Sequence, residues 1–125
     1  MPITTTIDHD RELTIHTVAG EPSFEEGMAT IKQFWEGQPT MNVLWDFRKA
    51  SLPGLSLKET EAITDYIKHH WEKRSGGKSA LVVLRDLEYT VSRIAQPLAE
   101  MNSFSIQMKI FRTFKEAIQW LGEGE

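Results

Sequence analysis

The side chains best suited to chemistry lie between residues 42 and 60, in the stretch NVLWDFRKASLPGLSLKET. Asp46 and Arg48 place a carboxylate and a guanidinium at the end of a strand-like run, and open α/β sheets bind ligands at such strand ends. The alternative is a solvated ion pair, or a carboxylate that bonds the N–H groups of the following loop. Ser51 and Ser56 follow, where a hydroxyl can accept a phosphate.

Ser56 stands at the start of a predicted helix, and two roles compete for it. Glu59, three residues later, completes a capping box, in which each side chain bonds the backbone N–H of the other residue. A helix start also favours an added phosphate through its free N–H groups. The cap accounts for Glu59 as well as for Ser56, so the pattern favours the cap.

Arg85 and Asp86 follow the apolar run ALVVL, which is typical of a central strand covered on both faces. Because parallel strands end at the same edge of a sheet, these two residues should rim a polar site together with Asp46 and Arg48 if such a site exists. For Asp86 a helix cap is the favoured alternative, since a helical pattern follows it.

Other kinds of site find little support in the sequence. The chain has no cysteine, which excludes disulfides, thiolate nucleophiles and cysteine zinc sites. His69 and His70 are adjacent and would point about 100° apart on a helix, so they do not share a metal easily. The run GGKS at residues 76–79 follows a helical pattern and precedes a strand, the wrong context for a phosphate loop. We therefore predict no catalytic residue, no metal and no cofactor, and a protein that is not an enzyme.

Length and composition bound the class of protein. The 125 residues suit one domain, residues 1–125, and a net charge of −4 argues against nucleic acid as a partner. The amino terminus has no signal-peptide pattern, and the longest apolar run, residues 80–84, is too short to span a membrane. The sequence predicts a soluble cytoplasmic protein.

The hydrophobic pattern gives the element order β-β-α-β-α-β-α-β-α. A β-hairpin is predicted over residues 3–20, further strands over 41–47, 78–85 and 105–111, and helices over 22–37, 56–74, 86–102 and 113–123. Capping boxes begin three of these helices, at Ser23, Ser56 and Thr113, and Pro97 predicts a kink in the third helix. The predicted fold is α/β, with a mixed, mostly parallel sheet of about five strands and four helices.

These features together resemble the SpoIIAA-like branch of the STAS domains. The resemblance lies in the opening hairpin, the strand ending VLWDFR, the helix start LSLKE, the block ALVVLRDLEYTVSRIAQ and the closing IQMKIFRTFKEAIQWL. It implies helices packed mainly on one face of the sheet, and a protein-interaction or ligand-sensing role without catalysis. In the anti-sigma-factor antagonists of this family, a partner kinase phosphorylates a serine at the helix start after the third strand. Ser56 is nearest to that position and Ser51 precedes it, but SLPGLSLKE replaces the usual Asp-Ser-Ser-Gly motif.

The resulting hypothesis is a non-catalytic regulatory module that binds a partner protein and forms a homodimer. The alternative is a carrier or sensor of a small apolar or lipid-like ligand. In that case aromatic residues such as Trp35, Trp71 and Trp120 would line a pocket between the sheet and the helices.

Overall fold

A computed structural model describes residues 2–51, 56–74, 76–84, 91–92 and 106–123. Its strands are β1 Ile3–Asp8, β2 Leu13–Gly20, β3 Asn42–Ala50, β4 Lys78–Val82 and β5 Gln107–Phe111. Its α-helices are α1 Phe24–Glu36, α2 Leu57–His70 and α3 Phe114–Gly122, and a 3₁₀ helix, Trp71–Arg74, follows α2 directly.

The described part contains three complete α-helices where four were predicted, and the α/β class is confirmed. The predicted third helix, with its kink at Pro97, lies outside the described residues except for Val91 and Ser92, which are helical. The other predicted elements are present. β3 continues to Ala50, beyond the predicted end at residue 47.

The strands form one mixed sheet in the order β1-β2-β3-β4-β5. β1 pairs with β2 antiparallel, and each later neighbour pair is parallel. This confirms the predicted hairpin followed by parallel strands. Because β2 to β5 run in one direction, their ends meet at one edge of the sheet, here called the carboxyl edge, and their starts form the amino edge.

Helices cover both faces of the sheet. On the α3 face, Ala117 and Leu121 of α3 pack against buried strand residues, namely Leu13, Leu44, Ala80, Val82 and Phe111. On the opposite α1–α2 face, Trp35 of α1 and Tyr66 of α2 pack with Ile106, which directly precedes β5, and with Met108 of β5. Since side chains alternate between the faces along a strand, β3 and β4 are apolar on both sides.

All three predicted caps are present, in two forms. Ser23 and Ser56 each accept a hydrogen bond from the N–H of the glutamate three residues later, and that glutamate accepts from the backbone N–H of the serine. Thr113 accepts from the N–H of Glu116, but its hydroxyl, not its backbone, donates to the Glu116 carboxylate. These caps fix where each helix leaves the carboxyl edge.

The turn before β4 confirms that GGKS is a helix end and not a phosphate loop. Gly76 has a φ of +91°, a left-handed conformation that favours glycine. The N–H of Gly77 donates to the carbonyl of Arg74 at 2.8 Å. A Cβ on Gly77 would collide with the carbonyl oxygen of Met41, so the chain passes too close to β3 for any side chain there.

Candidate functional site

Asp46 and Arg48 form a closed ion pair at a β-bulge near the end of β3. Opposite β2, the register shifts by one residue between the pairs Thr17–Asp46 and Ala19–Lys49. Such a bulge leaves a backbone group without a ladder partner. The carboxylate of Asp46 accepts the N–H of Arg48 at 3.1 Å, and it also accepts the guanidinium through Nε at 2.9 Å and Nη2 at 2.8 Å. Asp46 therefore accepts a hydrogen bond from a backbone N–H of the bulge in which it lies.

The electrostatics keep both members of this pair charged. Burial alone would raise the pKa of Asp46, but the hydrogen bonds from Arg48 and the charges of Arg48 and Lys49 hold it below its ordinary value. The same hydrogen bond raises the pKa of Arg48. Asp46 is 6% exposed, and the guanidinium of Arg48 lies 5.2 Å from the ring centre of Phe114 on the α3 face. The pair has no group ready to transfer a proton near neutral pH.

The two candidate serines lie at the same edge as this pair, in different settings. Ser51 is exposed, and its N–H donates to the carbonyl of Gly20 at 2.7 Å, which joins the ends of β2 and β3. Ser56 is exposed and caps α2, which packs on the α1–α2 face. Asp46 and Arg48 belong to the α3 face. Ser56 and the ion pair therefore reach the carboxyl edge from opposite faces of the sheet.

Arg85 and Asp86 lie outside the described residues, so their convergence with Asp46 and Arg48 stays a prediction. The described residues before this gap end at Leu84, just beyond the end of β4. Leu84 is 48% exposed, and Leu57, the first residue of α2, is 67% exposed. The direction of the chain places both leucines at the carboxyl edge. Leu84 comes just after β4, and Leu57 begins α2, which follows β3. Exposed apolar side chains therefore accompany the polar ones at this edge.

Sequence reasoning did not single out two buried residues, Arg74 and His16. Arg74 is 2% exposed and donates to the carbonyl oxygens of Thr40, Met41 and Lys78 and to the hydroxyl of Ser79, over 2.7–2.9 Å. Its guanidinium carbon is 5.5 Å from the ring centres of Phe34 and of Trp35. No local pattern signals this burial, since the acceptors lie on other segments.

His16 on β2 is 1% exposed, on the α1–α2 face. Its Nδ1 is 2.9 Å from the hydroxyl oxygen of Thr5, and within the described chain its Nε2 has no hydrogen-bond partner. The ring lies between Trp45, at a centroid distance of 4.3 Å, and Phe34, at 5.7 Å. Burial, and then the charge of Arg74, lower its pKa to about 4.

Two grooves are lined by described residues, and both lie at the amino edge of the sheet, beside the end of α3. One, of about 620 Å³, runs between Arg11, Asn42 and the end of α3. The other, of about 520 Å³, is bordered by Met41, Lys78 and Trp120. They are open surface grooves, and they lend no support to the apolar pocket that the carrier hypothesis requires.

Across the described ranges, no cluster of three or more histidine, aspartate and glutamate side chains is placed to hold a metal ion. No helix among the described residues combines the length and the apolar character that crossing a bilayer would need.

A five-stranded mixed sheet with one antiparallel edge strand and helices on both faces defines a small α/β class, and solved structures share it. The chain is similar to an uncharacterised DUF3478-family protein with a SpoIIAA-like fold from Shewanella loihica PV-4, with 18% identity, a TM-score of 0.60 and 95% and 91% of the two chains covered. It is also similar to an anti-sigma factor antagonist from Mycobacterium paratuberculosis, with 16% identity, a TM-score of 0.53 and 95% and 93% covered.

A third similar structure is the anti-sigma factor antagonist SpoIIAA in its unphosphorylated form, with 15% identity, a TM-score of 0.52 and 94% and 96% covered. No family model and no curated protein sequence matches the chain. The chain has the SpoIIAA-like fold, which confirms the fold that the sequence resemblance implied.

Proposed function

We propose that this chain is a non-catalytic regulatory module that acts in the cytoplasm by binding a partner protein at its carboxyl edge. The observation that carries the proposal is the exposure of Leu57, 67%, and Leu84, 48%, at that edge. Single exposed leucines are ordinary, but two at one edge of the sheet, beside polar groups, offer apolar surface that a partner protein would remove from water. Anti-sigma factor antagonists with the same fold support a regulatory role.

The polar residues of the edge suit recognition better than catalysis. Arg48 is held by Asp46 and by the ring of Phe114, and its side chain remains 42% exposed. A guanidinium fixed in this way can bind a carboxylate of a partner with little loss of side-chain entropy. Asp46 already accepts three bonds from Arg48 and is ionised, so it offers neither a proton nor a free nucleophile.

A photo-cross-linking amino acid at position 57 tests partner binding. We expect one discrete adduct with another protein in the organism's own cells, because the side chain at this position projects into solvent at the proposed contact. The matched control carries the same amino acid at His69, which is also exposed on α2 but lies at its opposite end. Equal adducts at both positions, or none at position 57, would contradict the proposal.

Phosphorylation of Ser51 or Ser56 is a separate hypothesis about regulation. A phosphate on Ser56 would gain the free N–H groups of α2 but would repel the Glu59 carboxylate, which accepts the N–H of Ser56 at 3.0 Å. We expect Ser56 to serve as a cap, so phosphate mapping by mass spectrometry after incubation with the cell lysate and ATP should find it unmodified. A phosphate on Ser56 would contradict this expectation and make the edge a phosphorylation switch.

The module is also proposed to self-associate as a homodimer. The sheet has two edge strands, β1 and β5, and either is open to pairing in principle. The supporting observation is the exposure of β1 from Thr4 to Asp8.

A further inference from the structure

The free backbone groups of β1 can be assigned from its pairing with β2. The N–H of Ala19 donates to the carbonyl of Pro2, directly opposite in the antiparallel register, at 2.7 Å. Hydrogen-bonded and non-hydrogen-bonded pairs alternate along such a ladder, so the even-numbered residues of β1 turn their backbone groups toward β2. The N–H and C=O groups of Ile3, Thr5 and Ile7 therefore point outward from the edge of the sheet.

This edge lacks the features that usually prevent strands from pairing. From Ile3 to Ile7 there is no charge and no proline, and the pairing with β2 is continuous, without a bulge. Ile7 is 49% exposed. The opposite edge strand, β5, carries an exposed lysine, Lys109, at its centre, a common protection against pairing. The two edges of the sheet are therefore not equivalent, and β1 is the open one.

We propose that a second copy of this chain pairs with β1 along a two-fold axis through Thr5, which joins two sheets into one. The proposal rests on the self-association proposed above and assigns its surface and register. With Thr5 opposite Thr5 of the second copy, Ile3 faces Ile7 and Ile7 faces Ile3. Every outward N–H and C=O of the three odd-numbered residues is then paired.

Side-chain chemistry favours this register over its neighbours. It pairs isoleucine with isoleucine on the α1–α2 face and Thr4 with Thr6 on the α3 face, and such apolar and threonine pairs stabilise antiparallel strands. Asp8 falls opposite Pro2, so no like charges meet. A slip by two residues in either direction places an isoleucine opposite a threonine and leaves outward backbone groups unpaired.

The contact involves one short strand from each copy, so it is smaller than a standard interface of about 1,600 Å². We expect a weak dimer with a Kd on the order of 10–100 µM. Sedimentation equilibrium up to about 500 µM protein covers this range. Ile7→Lys, which adds a charge to the paired edge, should raise the Kd at least about tenfold. Gln107→Lys places the same charge on β5 and should leave the Kd unchanged, and thermal unfolding verifies that both variants are folded.

The register has a direct chemical test, because the chain has no cysteine of its own. In the proposed dimer, Thr4 and Thr6 of the two copies form a non-hydrogen-bonded pair with Cα atoms about 4.5 Å apart. Two copies of residue 4, or two of residue 6, are diagonal neighbours about 7–8 Å apart, too far for a disulfide. An oxidised mixture of Thr4→Cys and Thr6→Cys proteins should therefore yield mainly the mixed disulfide, and each variant alone should yield little.

The possible outcomes distinguish a wrong β1 register from the absence of a homodimer. A dimer that resists Ile7→Lys, or same-site disulfides as abundant as mixed ones, would overturn the β1 register while the homodimer stands. A monomer at every concentration would overturn both, and would leave a strand from another protein as the occupant of this edge. Neither result bears on the partner surface at Leu57, which the cross-linking experiment tests on its own.

Discussion

Replacing Arg74 with methionine is expected to lower the free energy of unfolding by about 3–5 kcal/mol, measured by urea denaturation. Methionine keeps much of the apolar stem but removes every donor. The carbonyls of Thr40 and Lys78 and the hydroxyl of Ser79 would lose their bonds to the guanidinium inside the protein. Each buried acceptor that loses its partner costs about 1–3 kcal/mol. The Met41 carbonyl is less affected, since it also accepts the N–H of Lys78 at 3.0 Å.

The large effect follows from what Arg74 connects. It ends the 3₁₀ helix after α2, and its acceptors lie just before β3 and at the start of β4. The planar guanidinium bonds four uncharged oxygens at once, which offsets the removal of its charge from water. Burial lowers the pKa of Arg74 to about 10, so it remains charged near neutral pH. Arg74 thus fixes the amino edge, where α2 returns the chain to the sheet.

Two controls define this prediction. Arg74→Lys keeps the charge, but an ammonium cannot reach four acceptors spread around a plane, and we expect a loss of about 2 kcal/mol. Arg11→Met removes a guanidinium that is 63% exposed beside Asp8, and should change stability by less than about 0.5 kcal/mol. If Arg74→Met cost no more than Arg11→Met, the hydrogen bonds of Arg74 would not stabilise the fold as argued.

The contrast between Arg74 and the caps shows what the sequence can predict. Ser23, Ser56 and Thr113 bond to residues three positions along the chain, so the local spacing of residue types predicts their roles as caps. The strands were predictable for a similar reason, because burial on one face or two produces its own apolar period. Arg74 instead bonds Thr40, 34 positions earlier, and only the assembled sheet brings the two together.

The features of the candidate site likewise divide into those that local sequence predicts and those that depend on the assembled sheet. The proximity of Asp46 and Arg48 was predictable from their positions on one strand. Their bonding to a bulge was not, because the bulge exists only relative to the register of β2. The exposure of Leu57 was not predictable either, since an apolar residue in the first turn of a helix is as readily buried as exposed. Its 67% exposure depends on where α2 meets the sheet, a tertiary property.

The stability of the protein is expected to fall by about 3 kcal/mol between pH 7 and pH 4 because of His16 alone. The folded-state pKa of His16 is about 4, below the ordinary value of 6.5. Between these two pH values the unfolded chain binds a proton that the folded chain does not, so stability rises with pH there. The contribution is complete above about pH 6.5 and is lost as pH falls toward 4.

The structure gives the reason that the imidazole stays neutral. Its ring is enclosed by Trp45 and Phe34, and a proton on Nε2 would lie buried with no acceptor among the described residues, near the positive charge of Arg74. A neutral ring with its proton on Nδ1 can donate to the Thr5 hydroxyl oxygen, 2.9 Å away, and leaves only a lone pair on Nε2.

His16→Phe separates this effect from other titrations. Phenylalanine keeps an aromatic ring between Trp45 and Phe34 and cannot titrate, so the slope between pH 4 and 6.5 should largely disappear. Loss of the bond to Thr5 should change stability at pH 7 by no more than about 1 kcal/mol. At pH 4.5 the variant should be more stable than the parent by roughly 1–2 kcal/mol. The two stability curves should therefore cross.

Two comparisons test whether the slope of stability between pH 4 and 6.5 comes from His16. His9→Gln changes an exposed histidine in the hairpin turn and should leave the slope in place. Asp46 acts at lower pH, since its folded-state pKa lies below the ordinary carboxyl value. Its contribution is therefore present above about pH 4 and is lost only in stronger acid. A parent protein with flat stability from pH 7 to 4.5, or a His16→Phe variant with the parent's slope, would mean that His16 is protonated in the folded state.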